Sequence, residues 1–263
     1  MKNIAIITGA SSGMGREFVK QLDNEGFDEI WAIALDKEGL ETLRQEVKTK
    51  VLTFALDLTK EESFVVIRNM LDDEKPNVSW LCSCSGFGKF GRYDEICINQ
   101  TENMIDLNCK AYVKLTEYVL PYMQNGARIV HIASVAGFQP VPYLTTYGAT
   151  KAFTISYARG LNQELKPKGI SVTCVCPFWT KTNFFKTAKD TKANKEVVSK
   201  YAVMYLPEKV IAKAIKDAKK RKEMSVYGFT AKFNQLLTKL LPHKFVMWVW
   251  KKQQKFNKKY KKA

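Results

Sequence analysis

At 263 residues with 46% hydrophobic side chains, the chain can bury a sizeable core and sits near the upper size of one domain. Its formal charge of +16 is uneven: residues 1–180 carry 19 basic and 21 acidic side chains, and residues 181–263 carry 23 and 5. The most apolar short run, Phe245 to Trp250, falls far short of the ~18 residues a bilayer-spanning helix requires, which excludes such a span.

In chain order, β-branched runs at 3–8, 29–35, 50–56, 78–84, 127–133 and 170–175 alternate with helical patterns near 14–25, 37–48, 60–72, 100–123 and 144–166. Met1 to Thr8 reads as a first strand rather than a signal peptide, because it runs straight into a glycine motif. Right-handed crossovers between such units predict an α/β fold, a Rossmann-type doubly wound parallel sheet. Asn125-Gly126 and Lys168-Gly169 supply helix stops. An irregular basic stretch, 178–206, leads to a helix over 207–222 opened by Pro207-Glu208 and a short strand near 224–227. Residues 229–260 read as two amphipathic helices broken at Pro242, the first with Phe233, Leu236, Leu237, Leu240 and Leu241 on one stripe. The expected organisation is one catalytic domain, 1–227, with a basic amphipathic extension, 228–263, packed on or beside it.

Six cysteines without a secretory segment point to reduced thiols and a cytoplasmic protein. The pairs Cys82/Cys84 and Cys174/Cys176 lie in apolar β-branched runs, and with His131 and His243 as the only histidines no metal site is expected.

Thr8-Gly9-Ala10-Ser11-Ser12-Gly13-Met14-Gly15 follows a strand and opens a helix, where backbone N–H groups and the helix N-terminus can hold a pyrophosphate. Tyr147 and Lys151 stand four residues apart on one helix face, where a cation can depress the phenol pKa and permit acid/base chemistry near neutrality. Ser134 ends an apolar strand thirteen residues earlier, with a hydroxyl able to hydrogen-bond a substrate oxygen.

Together these motifs resemble the short-chain dehydrogenase/reductase family, over roughly residues 1–227. The resemblance implies an NAD(P)-dependent oxidoreductase in which Tyr147 is the general acid or base, Lys151 lowers its pKa and binds the nicotinamide ribose, and Ser134 polarises the carbonyl. Asn108 matches the residue that holds a water linking the lysine to solvent; by its type alone it is equally a helix-distorting buried amide. The implied nucleotide contacts are Gly9, Ser11, Ser12, Gly13, Met14 and Gly15 in the turn, then Asp36, Asp57, Leu58 and Gly86, and finally Pro177, Thr180 and Thr182 beside Tyr147 and Lys151. Asp57 also reads as a helix cap. Asp36 can accept hydrogen bonds from a ribose 2′-OH and repels a 2′-phosphate, so NAD is expected over NADP, with Lys37 keeping NADP open.

Two positions depart from the family pattern: its Asn-Asn-Ala-Gly element reads Ser83-Cys84-Ser85-Gly86, and its Pro-Gly reads Pro177-Phe178. The first puts the usual bracing of the central strands in question, and the second alters the pocket. Phe87, Phe90, Phe138, Val141, Tyr143, Phe178 and Trp179, with Phe184 and Phe185 in a covering loop, read equally as lining of an apolar cleft or as core. A small hydrophobic carbonyl or alcohol, sterol-like, fatty or aromatic, is the expected substrate, and a homodimer or homotetramer the assembly the resemblance implies. The alternative is a non-catalytic dinucleotide-binding regulatory or scaffold protein. Nucleic acid is not an expected partner, because the basic third contains no recognition module. The Phe245–Trp250 cluster followed by Lys251, Lys252, Lys255, Lys258, Lys259, Lys261 and Lys262 suggests peripheral contact with an anionic membrane; the same cluster could instead cover the cleft or an oligomer interface.

Overall fold

The structure, a computed structural model, describes residues 1–193 and 197–256. Strands β1 (Asn3–Thr8), β2 (Glu29–Ala34), β3 (Lys50–Ala55), β4 (Asn77–Ser83), β5 (Arg128–Ile132), β6 (Ser171–Val175) and β7 (Met224–Ser225) pair in parallel in the order β3-β2-β1-β4-β5-β6-β7. Helices α1 (Gly13–Leu22), α2 (Lys37–Arg44) and α3 (Glu61–Glu74) connect the first four strands. Next come α4 (Ile98–Ile105) and α5 (Ala111–Val119), then α6 (Thr145–Leu165), α7 (Phe184–Lys189), α8 (Pro207–Lys219), α9 (Phe229–Leu240) and α10 (His243–Gln254).

The inner strands β2 and β6 are buried along their whole length because helices cover both faces of the sheet, while the edge strand β3 is only partly buried. Ile4 and Ile6 of β1 pack with Phe64, Ile67 and Leu71 of α3 and with Leu115 of α5. Their alternates Ala5 and Ile7 pack with Phe18 and Leu22 of α1 and Ile211 of α8. The order reverses between β1 and β4, so the loops after these two strands diverge and open a crevice at their C-terminal ends. The doubly wound parallel sheet is therefore present as the sequence predicts, with element boundaries shifted by a few residues.

Three local differences matter for the site. The stretch read as one helix over 100–123 starts at Ile98 and is interrupted by a π-helical turn, Asp106–Lys110, between α4 and α5. The stretch read as irregular contains α7 and a β-bridge between Thr180 and Tyr205. In the C-terminal segment, α9 and α10 flank Pro242 as expected. The end of the expected second helix, 257–260, and Lys258, Lys259, Lys261 and Lys262 lie outside the described residues.

The end of α10 is held against the chain that precedes α8. The buried Gln254 amide donates to the Lys200 carbonyl at 2.8 Å and accepts from the Ser199 and Lys200 N–H groups, each at 3.2 Å. Phe256 is fully buried, its ring centroid 4.0 Å from that of Tyr143. Among the described residues, no helix is long and apolar enough to cross a membrane.

Candidate active site

The crevice begins with the glycine turn between β1 and α1. Gly9 has φ +64°, in the left-handed region that favours glycine, and a Cβ there would lie 3.0 Å from the Ser85 nitrogen. A Cβ on Gly15 would lie 2.2 Å from the Gly9 oxygen, so α1 can start this close to β1 only with glycine at that position. Ser12 takes the N-cap position with extended backbone and no side-chain cap hydrogen bond, leaving the first turn of α1 open to an acceptor from outside. The missing asparagine pair is offset within the same turn: the Thr8 hydroxyl accepts from the Cys84 and Ser85 N–H groups at 3.0 and 3.1 Å and ties the end of β1 to that of β4.

Behind the turn, the π-helical segment turns Asn108 into the interior, where it is fully buried. Its amide nitrogen donates to the Phe87 carbonyl at 2.8 Å and the Thr150 hydroxyl at 3.0 Å, while its oxygen accepts from the Phe87 N–H at 3.1 Å. The amide thus binds the loop after β4 to α6. A Cβ on Gly86 would lie 2.8 Å from the Asn108 Oδ1 and 3.4 Å from the Lys151 Nζ, so Gly86 keeps open a hollow bounded by both side chains.

Ser134, Tyr147 and Lys151 converge on this hollow from β5 and α6. Lys151 is buried and donates to the Ile132 carbonyl at 2.8 Å; burial lowers its pKa from 10.5 to about 8. Its Nζ stands 5.7 Å from the centroid of the Tyr147 ring. Burial pushes the Tyr147 phenol up to about 12, against a hydrogen bond with Ser134 that acts in the opposite direction. The spacing of tyrosine and lysine predicts a depressed phenol pKa, but in the protein alone desolvation raises it and outweighs the opposing Ser134 hydrogen bond. The Ser134 Oγ accepts from the Ala136 N–H at 3.1 Å, which leaves its own proton available for donation.

These three residues open into a cleft whose lining also contains Met14, Gly86, Pro177, Thr180 and Thr182. Gly9, Ser11, Ser12, Gly13 and Gly15 form the turn at its end, and a Cβ on Gly13 would meet the Thr182 methyl at 3.2 Å. The hydroxyls of Thr180 and Thr182 already have local partners: the first donates to the Phe178 carbonyl at 2.9 Å and the second accepts from the Phe184 N–H at 3.3 Å.

Asp36 is exposed beyond the turn and caps α2 by accepting from the Gly39 N–H at 3.1 Å. Asp57 does not cap α3, whose N-cap position is Lys60; its Oδ1 accepts from the N–H and hydroxyl of Thr59 at 2.9 and 2.8 Å and shapes the turn before that helix. Leu58 is a core residue packed among the α3 side chains, so its side chain does not face the cleft.

Of the aromatic and apolar candidates, Val141, Phe178, Trp179, Phe184 and Phe185 line the cleft. Phe90 is buried core, Phe138 packs beneath the sheet, and Tyr143 packs on Phe256. Sequence reasoning missed Lys89 with Asp190, and Asn234 and Gln253 of the C-terminal helices; it names the Phe245–Trp250 cluster as a candidate cover of the cleft. Buried Lys89 donates to the Asp190 carbonyl at 2.7 Å and to its carboxylate at 3.1 Å, holding α7 so that the Phe184 ring lies 5.2 Å from that of Tyr147. Asn234 of α9 and Val246, Val249, Trp250 and Gln253 of α10 form a helical wall of the cleft, fixed in part by a hydrogen bond from the Trp250 Nε1 to the Pro142 carbonyl at 3.0 Å. The amphipathic pattern reveals such helices, but only long-range packing decides which wall they form.

The residues present fit a dinucleotide: the glycine turn leaves no room for a Cβ at Gly9 or Gly15, the α1 N-terminus is open, and the hollow at Gly86 adjoins Lys151.

Residues 3–193 match the family described as short chain dehydrogenase. The very-long-chain 3-oxoacyl-CoA reductase-B of Danio rerio is 30% identical over 195 residues, 71% of this chain and 62% of that relative. The chain therefore spans less than two thirds of that relative's length. A short-chain dehydrogenase from Sphingobium yanoikuyae, solved in complex with NADPH, has a TM-score of 0.75 at 26% identity and covers 94% of this chain and 95% of its own. Another from Streptomyces avermitilis has a TM-score of 0.78 at 25% identity, covering 95% and 96%. A family match over most of the chain, joined to structural likeness along nearly its whole length, establishes that the chain belongs to the short-chain dehydrogenase/reductase family.

Proposed function

We propose that the protein interconverts a carbonyl and a secondary alcohol on a bulky hydrophobic substrate, using a nicotinamide dinucleotide. The observation that carries this reading is the convergence of Ser134, Tyr147 and Lys151 on one cleft that begins at the glycine turn and is walled by Phe178, Trp179, Phe184 and Trp250. The bound nicotinamide supplies or accepts the hydride. Tyr147, protonated at neutral pH, gives its phenolic proton to the substrate oxygen in reduction and recovers it in oxidation. Ser134, whose Oγ accepts from Ala136 and which shares a hydrogen bond with Tyr147, can turn its proton to the same oxygen and orient it. Lys151 presents a buried ammonium, one of whose protons is committed to Ile132, and the remaining donors face the hollow at Gly86 where a ribose would lie. Asn108 fixes that hollow and, with one lone pair of Oδ1 left, can hold a water beside Lys151. These four intact side chains favour turnover over a scaffold role.

The turn, Asp36, Asp57, the Leu58 backbone, Gly86, Pro177, Thr180 and Thr182 are the proposed dinucleotide contacts. NAD is favoured over NADP because the exposed Asp36 carboxylate stands next to the turn: a Cβ on Gly39 would lie 2.5 Å from the Asp36 Oδ2 and 2.9 Å from the Ser11 Cβ. The nearest guanidinium, Arg16, is committed to the Ser11 and Gly39 carbonyls and to Glu46. Exposed Ile98 and Ile105 on α4 and Phe153 on α6 support self-association as a homodimer or homotetramer.

The name of the Danio rerio relative makes a fatty 3-oxoacyl compound the first substrate to try, followed by sterol-like and aromatic ketones and their alcohols. The test follows absorbance of the reduced nicotinamide with both cofactors, alongside their dissociation constants. Turnover of at least one hydrophobic carbonyl with tighter NADH than NADPH binding is expected. Tighter NADPH binding overturns the cofactor assignment, and no turnover across the panel overturns the function.

A further inference from the structure

The helix α9 is amphipathic with its apolar side turned outward. Phe229, Phe233, Leu236 and Leu240 form one stripe, with Phe229 81% and Leu240 70% exposed, while Ala231 and Thr238 face the protein. The α10 helix continues the surface with exposed Phe245, Trp248 and Val249, the Phe245 and Trp248 rings stacked at 5.8 Å. A patch of this extent marks an interaction site rather than the scattered apolar residues of an ordinary surface.

The charges around the patch are of one sign. No Asp or Glu occurs anywhere in the chain after Glu223. Lys232, Lys239, Lys244, Lys251, Lys252 and Lys255 are exposed on these helices and their ends, and the Lys252 ammonium lies 5.0 Å from the Trp248 ring centroid. A two-fold interface with a second copy would set this lysine field against itself, at a cost in like-charge repulsion. An anionic lipid surface meets both features: the phosphates complement the lysines, and the aromatic and aliphatic side chains enter the headgroup boundary.

The opposite face of the same helices gives this surface a functional consequence. Asn234, Val246 and Trp250 line the cleft, and Val249 both lines it and is 42% exposed, so the patch is the outside of the cleft's own wall. We infer that the outer face of α9 and α10 docks on an anionic membrane and holds the cleft mouth at the bilayer surface, where hydrophobic substrate partitions. The docking stands on the surface alone; the delivery of substrate rests on the function proposed above.

The test sediments the full chain with vesicles of phosphatidylcholine, with and without phosphatidylglycerol, at low and high salt. The variant Phe233→Ser/Leu240→Ser/Trp248→Ser is compared, none of these side chains being part of the cleft lining. Binding to anionic vesicles at low salt is expected, weaker by about tenfold or more with neutral vesicles, at high salt, or in the variant. Should that variant not give a native circular dichroism spectrum and melt, Lys232→Glu/Lys239→Glu, which alters exposed charges only, replaces it with the same expectation. Absence of binding by folded protein, or binding unchanged in the variant, overturns the inference. So does a self-association, seen by sedimentation velocity, that the same variant abolishes. Vesicle binding is read separately from turnover of the hydrophobic carbonyl panel in the absence of vesicles: binding without any turnover refutes the proposed reaction alone, and turnover without binding refutes the docking alone.

Discussion

At the scale of single residues, the site holds Lys151 and Tyr147 in protonation states that stability measurements can read. Burial lowers the folded pKa of Lys151 from 10.5 to about 8. Below pH 8 both folded and unfolded chains carry the proton, and the cost of burying the charge is present in full. Between pH 8 and 10.5 the unfolded chain binds more protons, so this contribution to stability rises with pH. Lys151→Met, which removes the buried charge, is expected to stabilise the fold at pH 7 by something on the order of 3 kcal/mol at most, with the gain vanishing toward pH 10.5. Tyr147 has the opposite sign: its folded pKa of about 12 exceeds the ordinary 10, so its contribution is present below pH 10 and lost as pH rises to about 12. Urea unfolding of wild type and Lys151→Met across pH 6 to 10 checks the first window. A gain that is absent at pH 7, or constant with pH, contradicts the assignment.

At the scale of elements, the glycines separate two physical roles that look alike in sequence. Gly15 faces the backbone of Gly9 and Thr8, whereas Gly160 in α6 has ordinary helical backbone and nothing within 4 Å of an added Cβ. Gly15→Ala is expected to lose about 1–3 kcal/mol or more of stability and most dinucleotide affinity, through displacement of the turn. Gly160→Ala is expected to gain about 0.5–1 kcal/mol with affinity unchanged. Thermal melts and dinucleotide titrations of both variants test the pair; equal effects in the two would remove the close-approach argument.

The strands and crossover helices were legible because each must cover a buried sheet, which imposes a local pattern. The π-helical turn at Asn108 was not, because the apolar spacing of Ile98 to Val119 reads as continuous helix and the distortion accompanies hydrogen bonds to Phe87 and Thr150, far away in sequence. The same limit applies to α7, whose position depends on Lys89 reaching Asp190 across 101 residues. For α9 the period was legible but the direction was not: hydrophobic spacing shows a stripe, and only the packing of Ala231 and Thr238 shows that it points outward.

At the scale of the whole molecule, acidic and basic residues nearly balance through residue 180, and the excess positive charge lies in the segment that completes the cleft. The motif residues Ser134, Tyr147 and Lys151 meet as their order in the sequence suggested, while the wall opposite them comes from a segment the family match does not reach. In the proposed reading the cleft thus joins a proton-transfer centre to a substrate boundary built from the C-terminal helices. The central claim is that Tyr147 transfers the proton that accompanies hydride exchange, and the most direct measurement compares wild type with Tyr147→Phe in nicotinamide-linked turnover and dinucleotide binding. The variant keeps the ring against Phe184 and keeps Lys151 while removing the acidic proton. Turnover is expected to fall by about 10²-fold or more with the dissociation constant of the dinucleotide nearly unchanged. Near-wild-type turnover in Tyr147→Phe would contradict it.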